Sequence, residues 1–350
     1  MGGEYAESEL RDSTVFTVAD GLLWLFQVTE RSAIVRKLQI IKMRGQSSVP
    51  GLHTFRITEA GLHTFPRAFG RGQAASRIKR PRRVSTGIPT LDALMGGGLL
   101  EGSHLLLAGP SGSGKTALGS RFIAEGLRLG EPAVIAVFEE LPGEYAGRAA
   151  KFGLDFDTPQ ADGKLEFIYI RPLDLSVDET VHELVDAVKR IGAKRVVIAS
   201  LTGFQVALAP DFRYELRESL YRMIGALMRL GVTIISTVEI EENFTSMALS
   251  NFAVSFLADD IVRLRFVSIN GQLRKMLLVV KMRGGEHSID MWEFAITGKG
   301  LVIAERPPGY RGLTSGIPQP WSFEAGGQSL RPFAARPPES LPESIGTPDV

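Results

Sequence analysis

HLLLAGPSGSGKTALGSRFIAEGLRL, residues 104–129, passes from an apolar run through a glycine-rich turn into a helix-like stretch. Gly109 to Thr116 fit the pattern G-x-x-x-x-G-K-[ST] without a mismatch, with a predicted strand before them and a predicted helix after. The spacing has a mechanical reason. Gly109, Gly112 and Gly114 let the backbone curl so that successive N–H groups point inward at a polyphosphate, and the helix N-terminus adds partial positive charge. The candidate nucleotide-binding residues are therefore Gly109, Pro110, Ser111, Gly112, Ser113, Gly114, Lys115 and Thr116. Lys115 is expected to reach the β- and γ-phosphates, and Thr116 to offer its hydroxyl to Mg²⁺. A glycine-rich turn that merely precedes a lysine is the alternative, and the flanking strand and helix argue against it.

Outward from this loop, Ser85 onward reads as a regular α/β alternation. Strands are predicted at 104–108, 133–138, 165–170, 195–200 and 232–238, with helices at about 115–129, 143–152, 178–191 and 212–230. The alternation predicts a mostly parallel sheet flanked by helices, with ligands outside the carboxyl ends of the strands. A hairpin over 260–281, turning at Asn270-Gly271, and a run at 291–304 would add antiparallel strands at one edge.

The chain also carries an internal repeat. At a constant offset of 239 residues, 18–45 fall on 257–284 without a gap, and Phe55, Ile57, Thr58, Gly61 and Leu62 fall on Phe294, Ile296, Thr297, Gly300 and Leu301. Arg31-Ser32 replaces the Asn-Gly turn in the first copy. Residues 1–66 are thus expected to be the closing strands of a domain whose opening strands and phosphate loop are absent from this chain. A linker follows at 67–83; from Phe65 to Val84 there are seven basic residues and no acid. It is read as a solvated connector, with contact to nucleic acid as the alternative. Residues 84–305 make the complete domain. Nine of the last 45 residues are Pro, so 306–350 read as a disordered tail.

Composition narrows the class. The chain has 350 residues, 44% of them hydrophobic, enough to bury a sizeable core. Without cysteine, disulfides and thiolate metal sites are impossible, and the five scattered histidines show no ligand spacing. A net charge of +1 gives no global field for nucleic acid or anionic membrane. No membrane-length apolar run or signal-peptide pattern is visible, and a cytoplasmic location is expected.

Three further features carry chemistry. The strand AVIAVF ends in Glu139-Glu140, which places two carboxylates beside the opening of the phosphate loop, where one could orient and deprotonate a water. The strand RVVIAS, 195–200, ends in Ala199-Ser200, where a nucleotide hydrolase of this kind carries an acid that holds Mg²⁺. Ser200 is the substitute metal candidate with Thr116. Lys281 and Arg283 share one face of a strand, and the Lys-Met-Arg triplet recurs as Lys42-Met43-Arg44. A basic edge that deters strand-to-strand aggregation is the alternative for that triplet.

The run STGIPTLDALMGGGLLEGSHLLLAGPSGSGKT, the FEE at 138–140, RVVIASLTGF, LADD at 257–260 and KMRGGEHS at 281–288 together resemble the KaiC family of RecA-like ATPases. The resemblance implies a RecA-like P-loop fold, ATP and Mg²⁺ as cofactors, and a homo-oligomeric ring with nucleotide between subunits. It implies Glu139 as general base, Glu140 as its partner, and Lys281 and Arg283 as residues reaching a neighbour's γ-phosphate. Ala199 departs from the family's Mg²⁺-holding Asp, and Ser255-Phe256 stands where its clock kinases carry adjacent Ser and Thr phosphoacceptors. The leading expectation is an oligomeric ATPase of this type with Ser autokinase activity. A non-hydrolysing, ATP-dependent scaffold is the second reading, favoured by Ala199. A RecA- or RadA-like DNA-binding recombinase is the third. Against it, Glu241 to Phe256 hold two acids and no Lys or Arg.

Overall fold

The computed structural model describes residues 15–30, 33–66, 81–169, 177–207, 216–240, 256–298, 300–304, 310–311 and 319–320. The Arg31-Ser32 turn, most of the linker, Ser255 with all but the last residue of the 241–256 loop, and nearly all of the Pro-rich tail lie outside the described residues.

After a short helix α1 (Val15–Val18), the chain makes four antiparallel strands in sequence order, β1 (Gly21–Glu30), β2 (Ala33–Met43), β3 (Leu52–Thr58) and β4 (Gly61–Phe65). A two-stranded pair, β5 (Arg83–Val84) with β6 (Leu99–Leu100), brackets helix α2 (Pro89–Leu94). Then come β7 (His104–Gly109), α3 (Lys115–Arg128), β8 (Ala133–Val137), α4 (Pro142–Ala150), α5 (Asp157–Ala161), β9 (Leu165–Tyr169) and α6 (Val177–Ile191). The alternation continues through β10 (Arg195–Ala199), α7 (Leu201–Ala207), α8 (Leu216–Arg229) and β11 (Thr233–Glu239). The antiparallel strands β12 (Asp260–Ile269), β13 (Gln272–Lys281), β14 (Met291–Thr297) and β15 (Gly300–Ile303) close it.

The main sheet has the order β15-β14-β13-β12-β7-β11-β10-β8-β9. From β12 to β9 its neighbours pair in parallel, and from β12 to β15 they pair antiparallel. This is the α/β architecture expected of a RecA-like P-loop ATPase. The strands are apolar on both sides because both faces are covered. Leu106 and Ala108 of β7 face a core closed by α6, α7 and α8. The alternate residues Leu105 and Leu107 face a second core closed by α2, α3 and α4. Four helices escaped the sequence reading, α1, α2, α5 and α7. All are under eight residues long, too short for a periodic apolar pattern.

The four N-terminal strands pack on α6 through a buried polar contact. Asp178, in the first turn of α6, accepts from Thr54 at 3.3 Å and from Arg222 of α8 at 2.9 Å, while Lys37 Nζ donates to Thr54 at 2.9 Å. Arg56 pairs with Glu179, and the rings of Phe65 and His182 meet edge to face at 5.5 Å. Both acids also lie at the positive end of the α6 dipole.

Candidate nucleotide site

The turn between β7 and α3 forms because its glycines meet two different constraints. Gly112 and Gly114 adopt φ of 72° and 109°, open to glycine at little cost. At Gly109 the constraint is space, since a Cβ there would lie 2.7 Å from Ser113 Oγ and 2.8 Å from the Leu264 carbonyl. Gly114 is the N-cap of α3 and no side chain caps it, so the first N–H groups of the helix face the opening.

That opening is a cleft of about 460 Å³. Ser111, Gly112, Gly114, Lys115 and Thr116 line one side, and Glu139, Glu140, Ala199 and Ser200 another. Ser113 is buried beneath the loop, and its N–H donates to the Pro110 carbonyl at 3.3 Å. Lys115 Nζ donates to the carbonyls of Gly109 and Pro110 at 2.8 and 2.7 Å. Burial lowers its pKa from the usual lysine range, and the carboxylates of Glu239 and Glu139 partly offset that effect. A charged lysine so placed, with the open end of α3, makes the cleft attractive to a polyanion.

The two tandem acids behave differently. Glu140 forms an ion pair with Arg148 of α4. Glu139 is exposed to the cleft and accepts from Ser200 Oγ at 3.2 Å. Gly203 permits this placement, because a Cβ there would lie 2.7 Å from Glu139 Cγ. Ser200 is anchored in turn, its Oγ accepting from the Gly203 N–H at 3.1 Å. The geometry thus joins Glu139 and Ser200 to the phosphate loop and ties Glu140 to Arg148.

Lys281 and Arg283 are not brought to this cleft. β13 runs antiparallel to β12, and Lys281 pairs with Ile261, which pairs with Leu106 near the start of β7. The pair therefore lies at the end of the sheet remote from Gly109. Lys281 Nζ donates to the Ala258 carbonyl at 2.6 Å, and Arg283 Nη1 to Asp259 Oδ1 at 2.8 Å. Within one chain neither residue serves the site. Only Lys281 belongs to β13, which ends there, so the expected shared strand face is not formed and Arg283 sits in the turn that follows. Another cation of β13 does approach the loop: Lys275 Nζ donates to the Gly112 carbonyl at 3.0 Å.

Sequence reasoning missed three participants, Arg148, Lys275 and Glu239, the last of which ends β11 and lines the cleft. Glu239 had a signal, since it directly follows a predicted strand whose carboxyl end borders the site. The other two had none, because their contacts span a helix in one case and 163 residues in the other.

The model of the family described as "ATPase: KaiC" matches residues 84–307. Among curated proteins, the circadian clock oscillator protein KaiC of Picosynechococcus sp. is 26% identical over 326 residues, 93% of this chain and 62% of that protein. KaiC of Rippkaea orientalis is 27% identical over 301 residues, covering 86% and 57%. KaiC of Parasynechococcus marenigrum is 29% identical over 303 residues, covering 86% and 58%. The chain spans about three fifths of the length of these relatives.

Proposed function

The chain belongs to the family of KaiC ATPases, and from that premise we propose an oligomeric ATP-binding ATPase with nucleotide between subunits and slow turnover. The observation that carries the reading is the phosphate loop itself: an uncapped helix N-terminus, Lys115 and Glu139 converge on one cleft.

In this reading the polyphosphate lies against the loop N–H groups and Lys115. Glu139, freed from the Glu140–Arg148 pair and oriented by Ser200, is the base that accepts a proton from the attacking water. The donors around the cleft are oxygens, from Thr116, Ser200 and the carboxylates, which fit a hard cation such as Mg²⁺. The cation supplies neutralisation of charge on the transferring phosphoryl group. Because Lys281 and Arg283 lie at the far end of their own sheet, they act on a neighbour's nucleotide or not at all, which is the argument for a ring. Ser255, the candidate for autophosphorylation, lies outside the described residues. Among the described residues, no helix is long and apolar enough to cross a membrane.

Ala199 favours one second reading, a scaffold in which ATP holds the assembly together and turnover is negligible. ATP turnover measured beside particle size, with and without nucleotide, separates the two. Lys115→Ala removes the cation of the loop and a charge-assisted contact, so nucleotide affinity should fall at least about tenfold. Unchanged affinity would sink the site assignment.

A further inference from the structure

The cleft has a carboxylate on the strand next to the one where an acid is missing. β11 lies between β7 and β10, with Ile198 opposite Ser236 and Glu239 opposite Gly109. This register sets Ala199 level with Thr237. Alternation along β11 then puts Thr237 and Glu239 on one face, and Ala199, Thr237 and Glu239 all line the cleft. Glu239 is therefore displaced from the Ala199 level by two residues, about 7 Å, toward the phosphate loop.

Its backbone is held on both sides. The Glu239 N–H donates to Thr202 Oγ1, in the first turn of α7, at 3.0 Å, and the next N–H, of Ile240, donates to the Gly109 carbonyl at 3.3 Å. The backbone that carries the carboxylate is thus attached to the two segments that border the site, the loop and the turn after Ser200. It is also close enough to influence Lys115, as Glu139 is.

Two carboxylates facing a bound polyphosphate would repel it in a partly desolvated cleft. A divalent cation between them and the phosphates turns that repulsion into attraction. The methyl group of Ala199 can take no part.

We propose that Glu239 supplies the metal-orienting carboxylate that position 199 lacks, accepting hydrogen bonds from waters of a divalent cation held at Thr116 and the nucleotide phosphates. This rests on the nucleotide-binding reading of the same cleft. Glu239 acts through the metal's water shell, as a positioning residue. Loss of such outer contacts typically costs about 10- to 100-fold in metal affinity.

The test uses the full chain, ADP as nucleotide and Mn²⁺ as metal probe, read by electron paramagnetic resonance, with ADP binding measured separately in EDTA. Glu239→Gln should weaken Mn²⁺ binding to the ADP complex about 10- to 100-fold while leaving ADP binding in EDTA unchanged or tighter. Ala199→Asp should restore most of the lost Mn²⁺ affinity in the Glu239→Gln background and change little in the native one. Unaltered Mn²⁺ affinity in Glu239→Gln overturns the proposal. So does an equal loss of ADP affinity with and without metal, which would assign Glu239 to Lys115 instead. Failure of the native chain to bind ADP in EDTA is a separate result and overturns the underlying nucleotide reading.

Discussion

The strands β1 to β4 and β12 to β15 are two copies of one meander placed in different company. Their likeness reaches fine detail. The pairing register slips between Leu22 and Leu23 in one copy and between Ile261 and Val262 in the other, the same position at the offset of 239. Thr58 Oγ1 and Thr297 Oγ1 each donate to the carbonyl three residues on, Gly61 or Gly300, at 3.1 Å. Arg44 pairs with Asp20 as Arg283 pairs with Asp259. Burial separates them. Val262, Leu264 and Leu301 are 0, 0 and 6% exposed, whereas their counterparts Leu23, Leu25 and Leu62 are 50, 46 and 49% exposed. The second copy has β7 paired along β12 and the core under α3 against that face; among the described residues, the edge of β1 has no such strand. Alternation and turn chemistry are enough to build the meander, but a neighbouring strand must turn its apolar face into a core. These identities are also what supports our proposal that residues 1–66 are the closing strands of a second domain of this kind.

The comparison is most exposed to refutation at the basic triplets. If only the second copy works beside a nucleotide, Arg283→Ala should lower ATP turnover by a factor of about 10³, the usual value of an arginine acting on a transferring phosphoryl group, while Arg44→Ala leaves it within about twofold. Mixing Arg283→Ala with Glu139→Ala subunits should recover activity at shared interfaces. Equal losses from Arg283 and Arg44 would erase the distinction between the copies.

Next in size is the contrast in packing. Leu264→Ala should cost about 2–5 kcal/mol, as large-to-small changes in closed cores do. Leu25→Ala, on the exposed face, should stay within about 0.5 kcal/mol. Urea midpoints of the two variants test this, and a large effect at Leu25 would mean that the first copy's face is covered in solution.

A smaller effect is expected where the first copy meets α6. Asp178→Ala removes the acceptor shared by Thr54 and Arg222 and leaves Lys37 and Arg222 without their common acid, a loss of about 1–3 kcal/mol. Trypsin should then cut within residues 21–65 faster, with nucleotide affinity unchanged. Slower or equal cleavage would show that this contact does not hold the N-terminal strands.

Much of this was open to a reader of the sequence alone. G-x-x-x-x-G-K-[ST] between a strand and a helix, regular alternation from Ser85 and the ungapped repeat identify a P-loop α/β domain and two related meanders, because each signal is local and tied to a backbone period. The placement of Glu139 beside the loop was legible for the same reason, since it ends a strand. The separate roles of Glu139 and Glu140 were not, because they depend on Arg148 approaching one acid and Ser200 the other. Likewise Ala199 could be read as a missing acid, but not that Glu239 on the adjacent strand borders the same cleft. The sequence alone determined the longer helices and strands, the phosphate loop and the repeat, because each of these signals is written in a local run of residues. Only the tertiary structure decided which carboxylates share the cleft, that Lys281 and Arg283 lie away from it, and which meander is buried, because each depends on strand order, and strand order joins residues that the chain keeps far apart.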